Sequence, residues 1–105
     1  MPRTPRSAAP DGWHHVMNRG ARRLPIFGDD ADRQAFLDLF GEASERFAVE
    51  FHAYALMNNH FHLVVRAETT ALSRAMQRVA GAYTQRHNAI YGFDGALFRG
   101  RYRSK

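Results

Sequence analysis

Two short runs of alternating apolar and polar residues lie on either side of Asn58-Asn59. Residues 49–57 form the first run and residues 60–66 the second, and alternation of this kind is typical of β-strands. A two-residue asparagine link suits a tight hairpin, because Asn tolerates positive φ better than most residues. The pattern therefore predicts two antiparallel strands joined at Asn58-Asn59.

The second of these strands places two histidines on one face. Side chains on a strand alternate between its faces, so His60 and His62 point the same way, about 7 Å apart along the strand. Imidazoles at this spacing can share one metal ion or one phosphate. The residues predicted to face the core instead are Phe61, Leu63 and Val65.

Two longer segments carry apolar residues at helical spacing. Asp29 or Asp30 would cap the first helix, and Thr69 or Thr70 the second, which runs to about Tyr91. We expect both apolar stripes to be core, except that His87 should end the second helix in partial exposure. The first stripe consists of Phe36, Phe40, Ala43 and Phe47, and the second of Leu72, Met76, Val79, Tyr83 and His87.

The remaining segments complete the order of elements. Residues 13–19 and 97–103 read as strands, and residues 1–12 as a flexible basic arm without a core of its own. The order strand, helix, strand, strand, helix, strand predicts an α+β domain with a ferredoxin-like, four-stranded antiparallel sheet. Its two helices would cover one face, and His60 and His62 would lie on the other.

Composition narrows the kinds of site that this domain could carry. The chain of 105 residues has no cysteine, which excludes disulfides, zinc–thiolate centres and cysteine nucleophiles. Its apolar runs are too short to cross a bilayer, and a cytoplasmic location is the default expectation. The formal net charge is +5, and fourteen arginines face a single lysine. Arginine binds phosphate with two-point geometry, so nucleic acid is a candidate partner.

The arginines nearest the predicted sheet are candidates for DNA binding. They could contact phosphates, or they could keep an edge strand from associating with other strands. Three of them share one side of the last predicted strand, and three surround the first turn. The candidates are Arg99, Arg101, Arg103, Arg19, Arg22 and Arg23.

Three segments of the chain together resemble one protein family. The stretch from Tyr54 to Val65, with its Met57-Asn58-Asn59-His60-Phe61-His62 centre, resembles the central motif of the single-tyrosine HUH transposases, in particular the REP-associated branch. Asn58 stands where that family usually has proline. Residues 15–33 are similar to its first strand and helix entry, and residues 95–102 to its Gly-x-Leu-Phe-Gln-Gly-Arg-Tyr segment.

The resemblance implies a mechanism and partners. Such enzymes hold Mg²⁺ or Mn²⁺ through the two motif histidines, here His60 and His62, and a third polar ligand. The metal polarises a scissile phosphate in single-stranded or hairpin DNA. A tyrosine attacks to form a 5′-phosphotyrosine link, which is later rejoined in DNA transposition. The family commonly works as homodimers, so a homodimer is possible here.

The resemblance places the attacking tyrosine on a further helix, after the Arg-Tyr segment. We therefore expect residues 13–105 to be a transposase-like domain that lacks this helix, and the catalytic tyrosine of the chain remains unknown. Three interpretations stay open: a transposase-type nuclease domain, a catalytically silent DNA-binding remnant of the family, and a small ferredoxin-like domain whose His-x-His is structural.

Overall fold

The computed structural model describes residues 12–105, and its elements follow the predicted order. The predicted arm lies outside the described residues except for Gly12, whose carbonyl accepts a hydrogen bond from the Ala67 N–H at 2.9 Å. A single 3₁₀ turn, Ala21–Arg23, follows the first strand. The strands are β1 (Trp13–Arg19), β2 (Glu50–Leu56), β3 (His60–Arg66) and β4 (Arg103–Ser104), and the helices are α1 (Asp30–Phe47) and α2 (Thr69–Tyr91).

The four strands form one antiparallel sheet in the order β2-β3-β1-β4. The predicted α+β, ferredoxin-like architecture is confirmed. Alternate residues of the two central strands, such as Val16 and Leu63, are buried with the apolar stripes of α1 and α2 in a single core. The other face of these strands is free of helices in the described part of the chain, and it carries His60 and His62.

Aromatic side chains fill the centre of the core. Tyr83 is fully buried, its ring lies 4.9 Å from that of Phe36, and Phe36 lies 5.0 Å from Phe61. The Tyr83 hydroxyl donates to the Ile26 carbonyl at 2.6 Å, which satisfies its polar end. Burial raises the pKa of Tyr83. The prediction that this tyrosine belongs to the core is confirmed.

The two long helices begin with different caps. Asp29 caps α1 as predicted, because its side chain accepts from the Asp32 N–H at 2.9 Å. The prediction for α2 is wrong: Glu68 caps it, accepting from the N–H groups of Thr70 and Ala71 at 3.1 Å each. These two hydrogen bonds lower the pKa of Glu68. A glutamate side chain is long enough to fold back onto the first turn.

A β-bulge in β2 interrupts the alternation expected for residues 49–57. Phe51 pairs with Val65 but Ala53 pairs with Val64, so His52 is the extra residue. Before the bulge Phe51 packs against the core; after it Leu56 does so and Ala53 turns to the open face. Strict alternation through 49–57 was therefore the wrong expectation, since one extra residue shifts every later side chain to the other face.

The hairpin link is tight, but not for the reason expected. Neither Asn58 nor Asn59 has positive φ; in the described residues the non-glycine positions with positive φ are Arg22, Arg23 and Ala48. The link is held by tertiary hydrogen bonds instead. The Asn58 carbonyl accepts from the N–H groups of Ile26 and Phe27, at 2.9 and 3.3 Å.

The last strand is much shorter than the predicted 97–103. Only β4 pairs as a strand, with Val16 and Met17 of β1. The preceding residues follow the same edge irregularly, through an isolated bridge between Gly20 and Phe98. Phe98 is buried in the core, which draws the chain out of the plane of a regular strand.

A buried carboxylate joins α1 to α2. Asp32 is 2% exposed and accepts hydrogen bonds from the Gly28 N–H, the Arg86 guanidinium and the Tyr91 hydroxyl at 2.7, 2.6 and 2.5 Å. Burial by itself would raise the pKa of Asp32, but the hydrogen bonds from Tyr91, Arg86 and Gly28 outweigh it, and the pKa is lowered. The ionised carboxylate is therefore the stable form in the fold.

We expect Asp32→Asn to lower the free energy of unfolding by about 1.5–3 kcal/mol at neutral pH, because charge-assisted hydrogen bonds are lost. The exposed Asp38→Asn is the matched control and should stay within about 0.5 kcal/mol of the parent. Because the pKa of Asp32 is lowered, its stabilisation is present above the ordinary carboxyl range and is lost as pH falls through the lowered value. Urea titrations along a pH series measure this, and a gap between parent and Asp32→Asn that does not narrow in acid would contradict it.

Candidate metal and DNA-binding site

His60 and His62 lie side by side on the open face of β3, at one end of the sheet. Both are half-buried, their ring centroids are 5.2 Å apart, and their planes are nearly perpendicular at 87°. They open into a cavity of about 650 Å³ that also contacts Asn18 and Asn59. The alternation along the strand predicted that the two histidines share a face. Residues of neighbouring segments line the rest of the cavity.

Asn59 determines which nitrogen of His60 carries the proton. Its side-chain amide donates to the Arg23 carbonyl at 3.3 Å, so its oxygen is the atom that meets His60 Nδ1 at 2.9 Å. That oxygen can only accept, so His60 Nδ1 donates. A neutral His60 therefore keeps its Nε2 lone pair free, which is the form that binds a metal.

Asn59 also connects the histidine strand to the loop after β1. Its carbonyl accepts from the Gly20 N–H at 2.9 Å. A Cβ on Gly20 would collide with the Leu24 carbonyl, so glycine is needed there for space, while its φ of −64° is ordinary. Sequence reasoning treated Asn59 only as a turn residue. An asparagine directly before a candidate ligand is the signal that could have revealed its second role.

The loop itself carries two residues in the left-handed region. Arg22 has φ 55° and Arg23 has φ 62°, a conformation that costs non-glycine residues about 1–2 kcal/mol each. The Asn59 amide holds the Arg23 carbonyl in place. Backbone strain of this kind concentrates at functional sites, where the surrounding structure holds it.

Five of the six arginines named as DNA-binding candidates come together around the two histidines. The loop after β1 and the irregular segment before β4 supply most of them. Arg22, the sixth, lies in a separate cavity beside Phe93. The five that line the cavity of His60 and His62 are Arg19, Arg23, Arg99, Arg101 and Arg103.

The field in this cavity is positive and uncompensated. Among the described residues that line it there is no carboxylate. The pKa of Arg19 is lowered, first by partial desolvation and then by the like charges of Arg99, Arg23 and Arg103. Repulsion among guanidinium groups is relieved when an anion binds between them, and phosphate oxygens match their geometry.

Two imidazoles by themselves would leave a bound metal with open coordination positions. In the part of the chain that the structure describes, no group of three or more His, Asp or Glu residues could hold a metal ion. The third polar ligand that the family resemblance implies is therefore not found there, and water or phosphate oxygens would have to fill the positions beyond His60 and His62. Two imidazole nitrogens suit Mn²⁺ better than Mg²⁺, which prefers oxygen ligands.

All four tyrosines of the chain lie in the described residues, and none of them lines this cavity. Tyr83 is in the core and Tyr91 donates to Asp32. Tyr54 is 60% exposed on the edge strand β2, and Tyr102 packs against the core. The geometry thus gives no tyrosine beside His60 and His62.

His15 is the second residue that sequence reasoning missed. It lies on the open face of β1, and its Nε2 is 3.0 Å from Nδ1 of His62, with the two rings stacked at 29°. Alternation along a strand gives the face on which His15 lies, but not its neighbour on the next strand. The contact depends on the β1–β3 register, in which Met17 faces His62 and His15 faces Val64.

A ferredoxin-like domain with a histidine pair on the open face of its sheet is the class that these features define. The model of the family described as "Transposase IS200 like" matches residues 9–104. The chain belongs to the IS200-like transposase family.

None of its described helices is long and apolar enough to cross a membrane.

Two solved structures share the fold. A candidate transposase from Deinococcus radiodurans is 15% identical with a TM-score of 0.70, and the match covers 98% of this chain and 84% of that one. A REP-associated tyrosine transposase bound to a REP hairpin is 15% identical with a TM-score of 0.66, and the match covers 100% of this chain and 61% of that one. No curated protein matches the chain significantly.

Proposed function

We propose that this chain binds single-stranded or hairpin DNA in the cavity of His60 and His62. With a divalent metal on the two histidines, it would take part in the cleavage and rejoining of DNA during transposition. The observation that carries the proposal is the convergence of the imidazoles of His60 and His62 and five arginines, without a carboxylate among the described lining residues. The hairpin bound to one structural relative supports DNA as the partner.

The roles of the residues follow from their chemistry. His60 and His62 would hold the metal through their Nε2 atoms. The metal, when bound, supplies Lewis-acid polarisation of a phosphodiester. Arg19, Arg99 and their neighbours would bind the flanking phosphates, neutralise their charge and keep the scissile phosphate beside the histidines.

The cavity does not supply the group that would attack the phosphodiester. Tyr83 has a raised pKa and a hydroxyl that is committed to a core carbonyl, so it is unsuited to attack. Tyr91 is likewise bonded to Asp32. We propose that covalent cleavage needs a tyrosine other than the four of this sequence. A homodimer remains a prediction from the family resemblance.

The same observation favours a second candidate function. Without an attacking tyrosine in the cavity, this chain could bind DNA as a catalytically silent module of the transposase family. Both functions use the arginines, but only the first needs a metal on His60 and His62. Metal binding on His60 and His62 therefore separates the two.

The double variant His60→Ala/His62→Ala should abolish Mn²⁺ binding measured by calorimetry, because it removes both protein ligands. His52→Ala is the matched control: His52 is an exposed histidine of the same sheet, bonded to Glu50, and its loss should leave Mn²⁺ affinity unchanged. Unchanged Mn²⁺ binding in the double variant would refute the site.

Arg99→Ala/Arg101→Ala should weaken binding of hairpin DNA and flatten its salt dependence. Two lost phosphate contacts reduce the slope of log K against log[salt] by about 1.4 if they lie on a single strand and by about 1.8 if they lie on the duplex stem. Arg74→Ala, an exposed arginine of α2, is the control and should not change the slope. Arg22→Ala shows whether the DNA path extends to the neighbouring cavity. Equal slopes for Arg99→Ala/Arg101→Ala and parent would place the DNA elsewhere.

Incubation of the chain with Mn²⁺ and hairpin-containing single-stranded DNA should give no covalent adduct on a denaturing gel, because no tyrosine lies in the cavity. The informative comparison is a set of four Tyr→Phe variants. An adduct that disappears in one of them would identify that tyrosine as the nucleophile and contradict the expectation.

A further inference from the structure

His15 and His62 form a direct bond between two ring nitrogens across the open face of the sheet. His15 Nε2 and His62 Nδ1 are 3.0 Å apart, and the ring centroids are 5.2 Å apart. Both residues are half-buried. One nitrogen of this pair must carry the proton and the other must accept it, so the ring that donates determines the tautomer of a neutral His62.

The two possible arrangements have opposite consequences. If His15 donates, the Nδ1 lone pair of His62 is used and a neutral His62 carries its proton on Nε2, so neither nitrogen can bind a metal. If His62 donates through Nδ1, its Nε2 lone pair is free. A metal site on His62 therefore requires His15 to be the acceptor.

The residues that pair with His62 in the sheet offer no other acceptor for its Nδ1 proton. The residues directly opposite His62 in the sheet are Met17 on β1 and Ala55 on β2. Neither side chain offers a nitrogen or oxygen acceptor. Among the described residues, the hydrogen-bond partner of His62 Nδ1 is His15.

The arrangement at His62 repeats the one at His60. Asn59 Oδ1 accepts from His60 Nδ1 at 2.9 Å, and His15 Nε2 stands at the corresponding position beside His62 Nδ1. Partners that accept the second ring N–H of a metal-binding histidine fix its tautomer and orientation. With both Nδ1 atoms engaged, both Nε2 atoms are left for the same ion.

We propose that His15 is a positioning residue, which accepts the Nδ1 proton of His62 and so presents His62 Nε2 to the metal. The proposal rests on the proposed function of His60 and His62 as metal ligands. His15 itself does not touch the metal; it acts through His62, as Asn59 acts through His60.

Two variants of His15 distinguish the loss of the hydrogen-bond acceptor from the loss of the packed ring. His15→Phe keeps a stacked ring but removes the acceptor, whereas His15→Gln keeps an acceptor oxygen at similar reach. We expect His15→Phe to weaken Mn²⁺ binding by calorimetry roughly 10–100-fold, the usual effect of losing such a partner. His15→Gln should restore most of the affinity. Thermal unfolding confirms that both variants are folded.

Nuclear magnetic resonance gives a readout without metal. In the metal-free parent at pH 8, long-range ¹H–¹⁵N correlations should show the proton of His62 on Nδ1. In His15→Phe this tautomer should lose its preference. A His62 proton on Nε2 in the parent would overturn the proposal, as would full Mn²⁺ affinity in folded His15→Phe.

Different results would contradict the proposed function and the proposal about His15. If the parent binds no Mn²⁺, the proposed function fails, and the resonance experiment still decides whether His15 accepts the proton. If the parent binds Mn²⁺ but His15→Phe and His15→Gln lose affinity equally, an acceptor oxygen at this position does not restore binding, and the proposal about the acceptor is wrong.

Discussion

The antiparallel register between β1 and β3 is the constraint on which the rest of this domain depends. It pairs Val16 with Leu63, which closes the core beneath the helices, and it pairs Met17 with His62 on the opposite face. A slip of one residue would turn the histidines into the core and Leu63 outward. The core therefore stabilises the site indirectly: the apolar side chains of one face determine where the imidazoles of the other face stand.

The loop after β1 shows how this constraint reaches the cavity. Carbonyls of Asn58 and Asn59 accept N–H groups from residues 20–27, so the hairpin link and the loop form one unit. That unit supports the left-handed backbone of Arg22 and Arg23 and delivers Arg23 to the cavity. Asn59 serves both functions, since its side chain holds the loop and also orients His60.

The helix side and the open face of the domain differ in how their charged side chains are paired. The helix side uses its carboxylates internally: Asp32 binds Arg86 and Glu42 binds Arg78. The arginines of the open face have no such partners among the described lining residues of the cavity. Partial desolvation and, after it, the like charges of Arg99, Arg23 and Arg103 lower the pKa of Arg19. A surface that is left unneutralised in this way attracts an anionic ligand at long range.

The sequence by itself determined the class of fold, both apolar stripes, the first helix cap and the shared face of His60 and His62, because these depend on local periodicity and local hydrogen bonds. The expected partial exposure of His87 was wrong, since this residue is buried within α2. Only the tertiary structure decided the bulge at His52, the Glu68 cap, the short β4 and the contact of His15 with His62. The bulge, the short β4 and the contact of His15 depend on strand register and on packing between residues distant in the chain. The Glu68 cap is local, but glutamate is not among the usual N-cap residues. Periodicity states which way a side chain points, but not which side chain it meets.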